Sequence, residues 1–282
     1  MQRALWTTIV PWVFLTLFLP AETPPGIVFD VSVIGRDGRI ETREQSEITW
    51  FDGRWMERSD DSAVIIDQKA GRICLVDHAG KVWTGGDAES FLKELEASFR
   101  QDAAVLRETS PPAKPVPGPG AGGARPKVRA ALAGTDTVDG AHCRHYKVLA
   151  GADLKEEVWV NTAIAPSAYF DVTGLQPLLE RLETVTQTVS DAFRSPEESR
   201  TEAAIRAERA KLFPLGLEMR SLEHARGGVR YEKRVTNIRS FYGDASVFNV
   251  PEGYRKVSVR EFIETTTPNP VDFSDPDETE KH

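Results

Sequence analysis

The chain has 282 residues, with 35 basic and 43 acidic side chains, a formal net charge of -8 and 40% hydrophobic residues. A nucleic-acid binder needs a basic stripe to neutralise phosphates, and the acid excess equally opposes broad adhesion to an anionic lipid surface. Nucleic acid is therefore not an expected partner, and the length suits one large sheet domain or two small ones.

Arg3 gives a positive start, Ala4 to Leu19 is apolar apart from Thr7, Thr8, Thr16 and Pro11, and Leu19-Pro20-Ala21 ends on a small residue. That is the pattern of an export signal over residues 1–21, with Glu22 opening the mature chain. About sixteen apolar residues are short for a membrane span of about 20, and Pro24-Pro25-Gly26 follows directly. No Cys stands just after the cut, so a bacterial lipid anchor is not indicated. Cleavage removes only Arg3 among the charged side chains and takes the formal net charge from -8 to -9. The expected location is periplasmic or secreted, with no integral membrane segment after cleavage.

Gly26 to Ile34 and Arg39 to Phe51 read as strands flanking the turn Gly35-Arg36-Asp37-Gly38, and Asp52-Gly53 opens the next hairpin. Short β-prone runs follow at Arg54 to Arg58, Ala63 to Asp67, Ile73 to Asp77 and Lys81 to Thr84, each separated by turn residues. Such even spacing predicts a meander of antiparallel strands rather than βαβ units. Asp87 is placed to cap a helix whose Phe91, Leu92, Leu95, Phe99 and Leu106 form one stripe. The stretch 110–126, rich in proline and glycine, predicts a linker, because proline removes donors and glycine costs ordering entropy.

Three more strands are predicted at Val128 to Val138, Ala141 to Leu149 and Glu156 to Asn161, with an Asp-Gly turn at Asp139-Gly140 before the second. Thr173-Gly174-Leu175-Gln176 fits a capping box, and Leu175, Leu178, Leu179, Leu182, Val185, Val189 and Phe193 make a helical stripe. Ser195-Pro196-Glu197-Glu198 is a second box opening a helix to about Leu212, read as a solvated element with pairs such as Glu202 with Arg206. Leu217 to Glu223 and Val229 to Ser240 form a last hairpin, and residues 263–282 read as a disordered acidic tail. The fold class is α+β. A strongly curved antiparallel sheet of about 10–11 strands, a half-barrel, has helices near 87–107, 174–193 and 196–212 on its concave face, all within one domain over residues 22–262.

Four short motifs stand in order: Gly140-x-x-Cys143-x-x-Tyr146, Glu157-x-Trp159-Val160, Phe213-Pro214-Leu215 and Phe248-x-Val250-Pro251-x-Gly253-Tyr254. With Trp55-x-Glu57 and Ile65-Ile66-Asp67 before them, they resemble an uncharacterised bacterial periplasmic family, a domain of unknown function similar to the periplasmic lipoprotein carriers. The resemblance covers roughly Ile27 to Val257, and the Pro/Gly-rich stretch and the acidic tail depart from it. It implies a half-barrel closed by helices over an apolar cavity. It also implies a non-enzymatic carrier for a lipid or a lipoprotein acyl chain in the cell envelope. The alternative is a protein-interaction or sensing module that meets an envelope partner through a sheet edge or the charged helix from Pro196.

Catalytic signatures are missing: there is no Gly-x-Ser-x-Gly elbow, His-Glu-x-x-His or Cys-x-x-Cys. Gly118-x-Gly120-x-x-Gly123 fits a dinucleotide fingerprint as text, but its flanks are proline-rich rather than a strand and a helix. Cys143 and His145 share a strand face, yet a third ligand at suitable spacing is missing, so no metal and no cofactor are expected. A Cys74–Cys143 bridge would contribute about 4 kcal/mol in the chain-entropy model. In a consecutive meander, however, the two strands lie about 14 Å apart, beyond the roughly 7 Å a disulfide spans. The cavity candidates are Trp50, Trp55, Trp83 and Trp159 on the strands and Leu178, Leu182 and Val189 on the covering helix, with few polar groups among them. Tyr169 and Phe170 are further aromatic candidates, and ordinary core packing is the competing account of all these rings.

Overall fold

A computed structural model describes residues 26–37, 40–109, 127–191, 194–225 and 228–266. The expected export signal, the Pro/Gly-rich stretch 110–126 and the tail beyond 266 lie outside the described residues. The chain runs β1 (Gly26–Asp37), β2 (Ile40–Phe51), β3 (Arg54–Arg58), β4 (Ser62–Asp67), β5 (Arg72–Asp77), β6 (Val82–Asp87) and α1 (Ala88–Thr109). It continues through β7 (Val128–Val138), β8 (Ala141–Ala150), β9 (Asp153–Asn161), α2 (Val172–Asp191) and α3 (Pro196–Ala210). β10 (Leu217–Ala225), β11 (Gly228–Ser240), β12 (Arg255–Lys256) and α4 (Val259–Thr266) complete it.

Among the described residues twelve strands join one open sheet in the order β12-β6-β5-β4-β3-β2-β1-β11-β10-β9-β8-β7. The expected sheet of about 10–11 antiparallel strands is corrected in both number and direction. β1 and β6 are each closed by a late strand, β11 antiparallel on one and β12 parallel on the other, so the sheet is mixed, though mostly antiparallel. A two-residue strand such as β12 carries no alternation to read. The tail expected from 263 also begins inside a helix, α4, whose Val259 and Ile263 join the main core.

Short-range signals act where the sequence places them. Asp52-Gly53 and Asp139-Gly140 turn tightly with positive φ at both residues (47° and 76°, 48° and 80°), the backbone of two-residue hairpins. The Asp87 carboxylate accepts the Ser90 amide at 3.0 Å at the start of α1. At α3, Ser195 Oγ accepts the Glu198 amide at 3.2 Å while the Glu198 carboxylate accepts the Ser195 amide at 2.9 Å, a complete capping box. Ser195→Ala is expected to lower stability by about 1 kcal/mol in urea unfolding. The other box is not formed. α2 opens at Val172, ahead of Thr173, and the Asp171 carboxylate accepts the Thr173 amide at 3.1 Å.

The β1–β2 register pairs Ile27 with Trp50 and Phe29 with Ile48, and the cross-strand rows continue through Trp55 and Glu57 of β3 to Ile66 and Val64 of β4. These residues share one face by strand alternation. The main core forms on this face, where Phe91, Leu92 and Leu95 of α1 and Leu175 and Val185 of α2 meet Phe29, Ile66 and Ile73. Next to it, Leu212 after α3 closes over Tyr146, Val158 and Val160. The opposite face carries a smaller cluster in which Phe248, from the short 3-10 turn Ala245–Phe248, covers Met56, Ile65 and Val76. Among the described residues no helix is long and apolar enough to cross a membrane.

Candidate functional site

Two devices hold α2 over the sheet. The Gln68 side-chain amide donates to the Asp171 carbonyl at 2.5 Å and its oxygen accepts the Asp171 amide at 3.1 Å, tying the start of α2 to the end of β4. The Gly53 amide donates to the Tyr169 carbonyl at 2.7 Å. Tyr169 and Phe170 are thereby delivered to Trp50, with ring centroids 5.9 Å and 5.5 Å away. Phe29 meets the same indole edge-on at 5.3 Å, and Phe213 does so at 6.3 Å. Edge-to-face packing of this kind fixes Trp50 as the hub of an aromatic floor.

Beside that floor lies a cavity of about 560 Å³ between the sheet, α2 and α3. Its apolar wall comes from Phe29, Val31, Ile48, Trp50 and Trp55 on the sheet, from Leu179 and Leu182 on α2, and from Leu212 and Phe213 beyond α3. A second, polar hollow of about 730 Å³ adjoins it at Val33, Glu57 and Val64 and is bordered by Glu44, Asp60 and Asp61.

Of the candidates read from sequence, Trp50, Trp55 and Leu182 line the cavity. Leu178 packs on the core, as Trp55 and Leu182 also do, but does not line the cavity, and the Val189 side chain lies outside the described residues. Trp83 belongs to the cluster on the opposite face. Trp159 is stacked by His145 at 4.3 Å on one side and covered by the Arg220 guanidinium at 5.1 Å on the other. It also sits beside Val160, which lines the cavity, so alternation points its ring the other way. His145 and His224 each approach Glu157, at 3.2 Å and 3.0 Å, a cross-strand polar row rather than a metal centre. Among the described residues no cluster of three or more ligating side chains is placed to hold a metal ion.

The expectation of few polar groups is overturned. Gln176, Glu180, Glu183 and Thr186 of α2 line the cavity, with Arg206 and Arg209 of α3 and with Glu57, Glu218 and Lys233 of the sheet. α3 is therefore not a wholly solvated helix, and the expected Glu202–Arg206 pair is not among its ion pairs. A β-bulge between Glu218 and Arg220 decides which charges turn inward. Glu218 pairs with Val160 on the cavity face and Arg220 with Trp159 on the other, where an unbroken strand would put both on one side.

Arg209 binds these charges together. Its guanidinium donates to both Glu218 oxygens at 3.0 Å and 3.2 Å and lies 3.7 Å from Glu156, a carboxylate that is 8% exposed. Burial pushes the Glu156 carboxyl up to about 7; Arg209 opposes this, and the neighbouring Glu218 and Glu223 add to it. Burial would raise Glu218 too, but Arg209, Lys233 at 3.4 Å and the Ser221 hydroxyl at 3.0 Å overcome it and hold the carboxyl at about 2. The Arg209 guanidinium is raised above its ordinary value chiefly by Glu218, against its own burial.

No family model and no curated protein matches the chain. Solved structures similar to it include an uncharacterized conserved protein from Thermus thermophilus (TM-score 0.40, 6% identity, 82% of this chain and 90% of that one). Others are a putative outer membrane lipoprotein-sorting protein domain from Vibrio parahaemolyticus (TM-score 0.28, 10% identity, 81% and 91% covered) and a LolA superfamily protein from Nitrosomonas europaea (TM-score 0.27, 8% identity, 80% and 90% covered). At these scores and identities the likeness says nothing of ligand or activity.

Arg206, Arg209, Glu218 and Lys233 are the charged residues beyond α2 and β3 that sequence reasoning missed. A usable signal existed for one pair: Arg206 and Arg209 are three apart and share a helix face. For Glu218 and Lys233 the signal was absent, since only the bulge and the β10–β11 register turn them toward the cavity.

Proposed function

We propose that the protein is an exported, non-enzymatic binding or carrier module for a lipid or other apolar ligand, working in the periplasm or outside the cell. The sheet would curve around the ligand, with its concave side under α2 and α3. The observation carrying this reading is the cavity of about 560 Å³ floored by Trp50 and walled by Trp55, Leu179, Leu182 and Phe213, a size and lining suited to an acyl chain. Phe29, Val31, Ile48 and Trp50 belong to the main core and also face the cavity, while α1 with Leu175 and Val185 of α2 packs the rest of that core, so the space lies at its margin. Mass spectrometry of organic extracts from the protein purified from its own host is expected to recover an apolar ligand in near-stoichiometric amount. Recovery of none, from protein that also fails to take up a fluorescent fatty acyl probe, rejects the reading.

A second reading, a docking module for an envelope protein, draws on β7. This strand is one edge of the sheet, runs eleven residues and exposes Leu132; beyond Ala130, whose amide donates to Glu208 of α3 at 3.2 Å, it suits pairing by strand addition. Stoichiometric co-purification of an envelope protein with ligand-free material would favour it.

A further inference from the structure

We propose that the ligand of this cavity is an amphiphile with an acidic head, a carboxylate or a phosphate, seated on Arg206. The proposal rests on the carrier reading and specifies its ligand class. Arg206 lines the cavity from α3, and its Nη1 is shielded from solvent without a hydrogen-bond partner. No ion pair of Arg206 is formed among the described residues. A buried guanidinium N–H with no acceptor forgoes a charge-assisted hydrogen bond it could make in water, so the free protein is under-satisfied at this atom. Trp50 Nε1, in the floor of the same cavity, is likewise buried and unpaired. Both orphaned groups are donors, and the charged one, Arg206, calls for an acceptor brought by the ligand.

The other charges of the cavity do not answer that call. Glu218 is taken by Arg209 and Lys233, Glu180 accepts the Gln176 side-chain amide at 2.7 Å, and Glu57 accepts the Ser46 hydroxyl at 2.8 Å. Glu183 is exposed. Arg209 and Lys233 in turn are committed to Glu218. Arg206 is thus the cavity's cation with spare valence, next to an apolar chamber of about 560 Å³, and a single molecule carrying both an acid and an alkyl chain satisfies the two at once.

The test compares ligands of one chain length on the delipidated full chain: hexadecanoate, hexadecyl phosphate, hexadecanol and hexadecyltrimethylammonium, with acetate and inorganic phosphate as head-only competitors. At least one acid amphiphile is expected to bind more than about tenfold more tightly than hexadecanol, equivalent to about 1.4 kcal/mol. Arg206→Met should abolish that preference while leaving hexadecanol binding in place, and Arg206→Lys should retain part of it. Because Arg206 makes no pair to lose, both variants should unfold at the wild-type temperature. The two acid arms separate a carboxylate head from a phosphate head, and competition by acetate or phosphate alone would overturn the amphiphile. Equal affinity for acid and alcohol, or a preference that survives Arg206→Met, overturns the acidic head and leaves the carrier reading intact. Failure of every amphiphile, hexadecanol included, removes both.

Discussion

Glu156→Gln is expected to raise stability by on the order of 3 kcal/mol near about pH 8 and to change it little near about pH 4. The Glu156 carboxyl sits at about 7 in the folded protein against an ordinary 4.5, so between those values the native state holds a proton that the unfolded chain has released. Stability then falls as pH rises through that window, because charging a carboxylate that is 8% exposed costs more than charging it in water. Glutamine keeps the shape and has nothing to ionise. Arg209 is not orphaned by the change, since Glu218 holds it with two hydrogen bonds. Glu218 works in the opposite sense: its carboxyl is held at about 2, so its contribution is present above the ordinary 4.5 and is lost as pH falls toward 2. Urea unfolding of wild type and variant across this range checks both limbs. A wild-type stability that stays flat above about pH 5, with no gain in the variant, would falsify the burial argument.

Leu182→Trp is expected to lower acyl-ligand uptake by more than about tenfold while costing less than about 1 kcal/mol of stability. Leu182 is half-buried on α2 and borders open space, so an indole there occupies volume the ligand would use. Leu175, seven residues earlier on the same helix, is 0% exposed in the packed core, and Leu175→Trp should cost about 1–3 kcal/mol by overpacking. Binding of a fluorescent acyl probe and thermal unfolding of the two variants separate the cases. Equal destabilisation by both, with uptake unchanged by Leu182→Trp, would mean that the cavity is not the ligand chamber.

Much of the local structure was legible from residues whose signal is short in range. The Asp-Gly turns at 52–53 and 139–140, the Asp87 cap and the Ser195 box each depend on neighbours within four positions, and each forms. The start of α2 differs from its sequence pattern because two side-chain oxygens compete there: Thr173 fits the pattern, yet Asp171, fastened to Gln68 across the fold, is the residue that takes the amide. α4 and β12 were missed because eight and two residues carry too little periodicity to register.

The assembly of the sheet was not legible. A consecutive meander puts Cys74 and Cys143 about 14 Å apart. In the actual order β5 and β8 are separated by eight strand spacings, about 38 Å measured along the sheet, and both cysteines are free. The cause is the pairing of β1 with β11, a contact between chain ends that no local pattern encodes. The candidate site divides along the same line. Alternation and helical spacing sufficed to bring forward Trp50, Trp55 and Leu182, because apolar residues declare the face they occupy. Arg206, Arg209, Glu218 and Lys233 declare nothing alone, since a charge in a sequence reads as solvated until tertiary packing closes over it. By itself, then, the sequence determined strands, turns, caps and an apolar wall. The strand order, the bulge at Glu218 and the docking of α3 decided that the wall ends in a charged cluster around buried Glu156, because strand pairing over two hundred residues and the desolvation of Glu156 exist only in the folded chain.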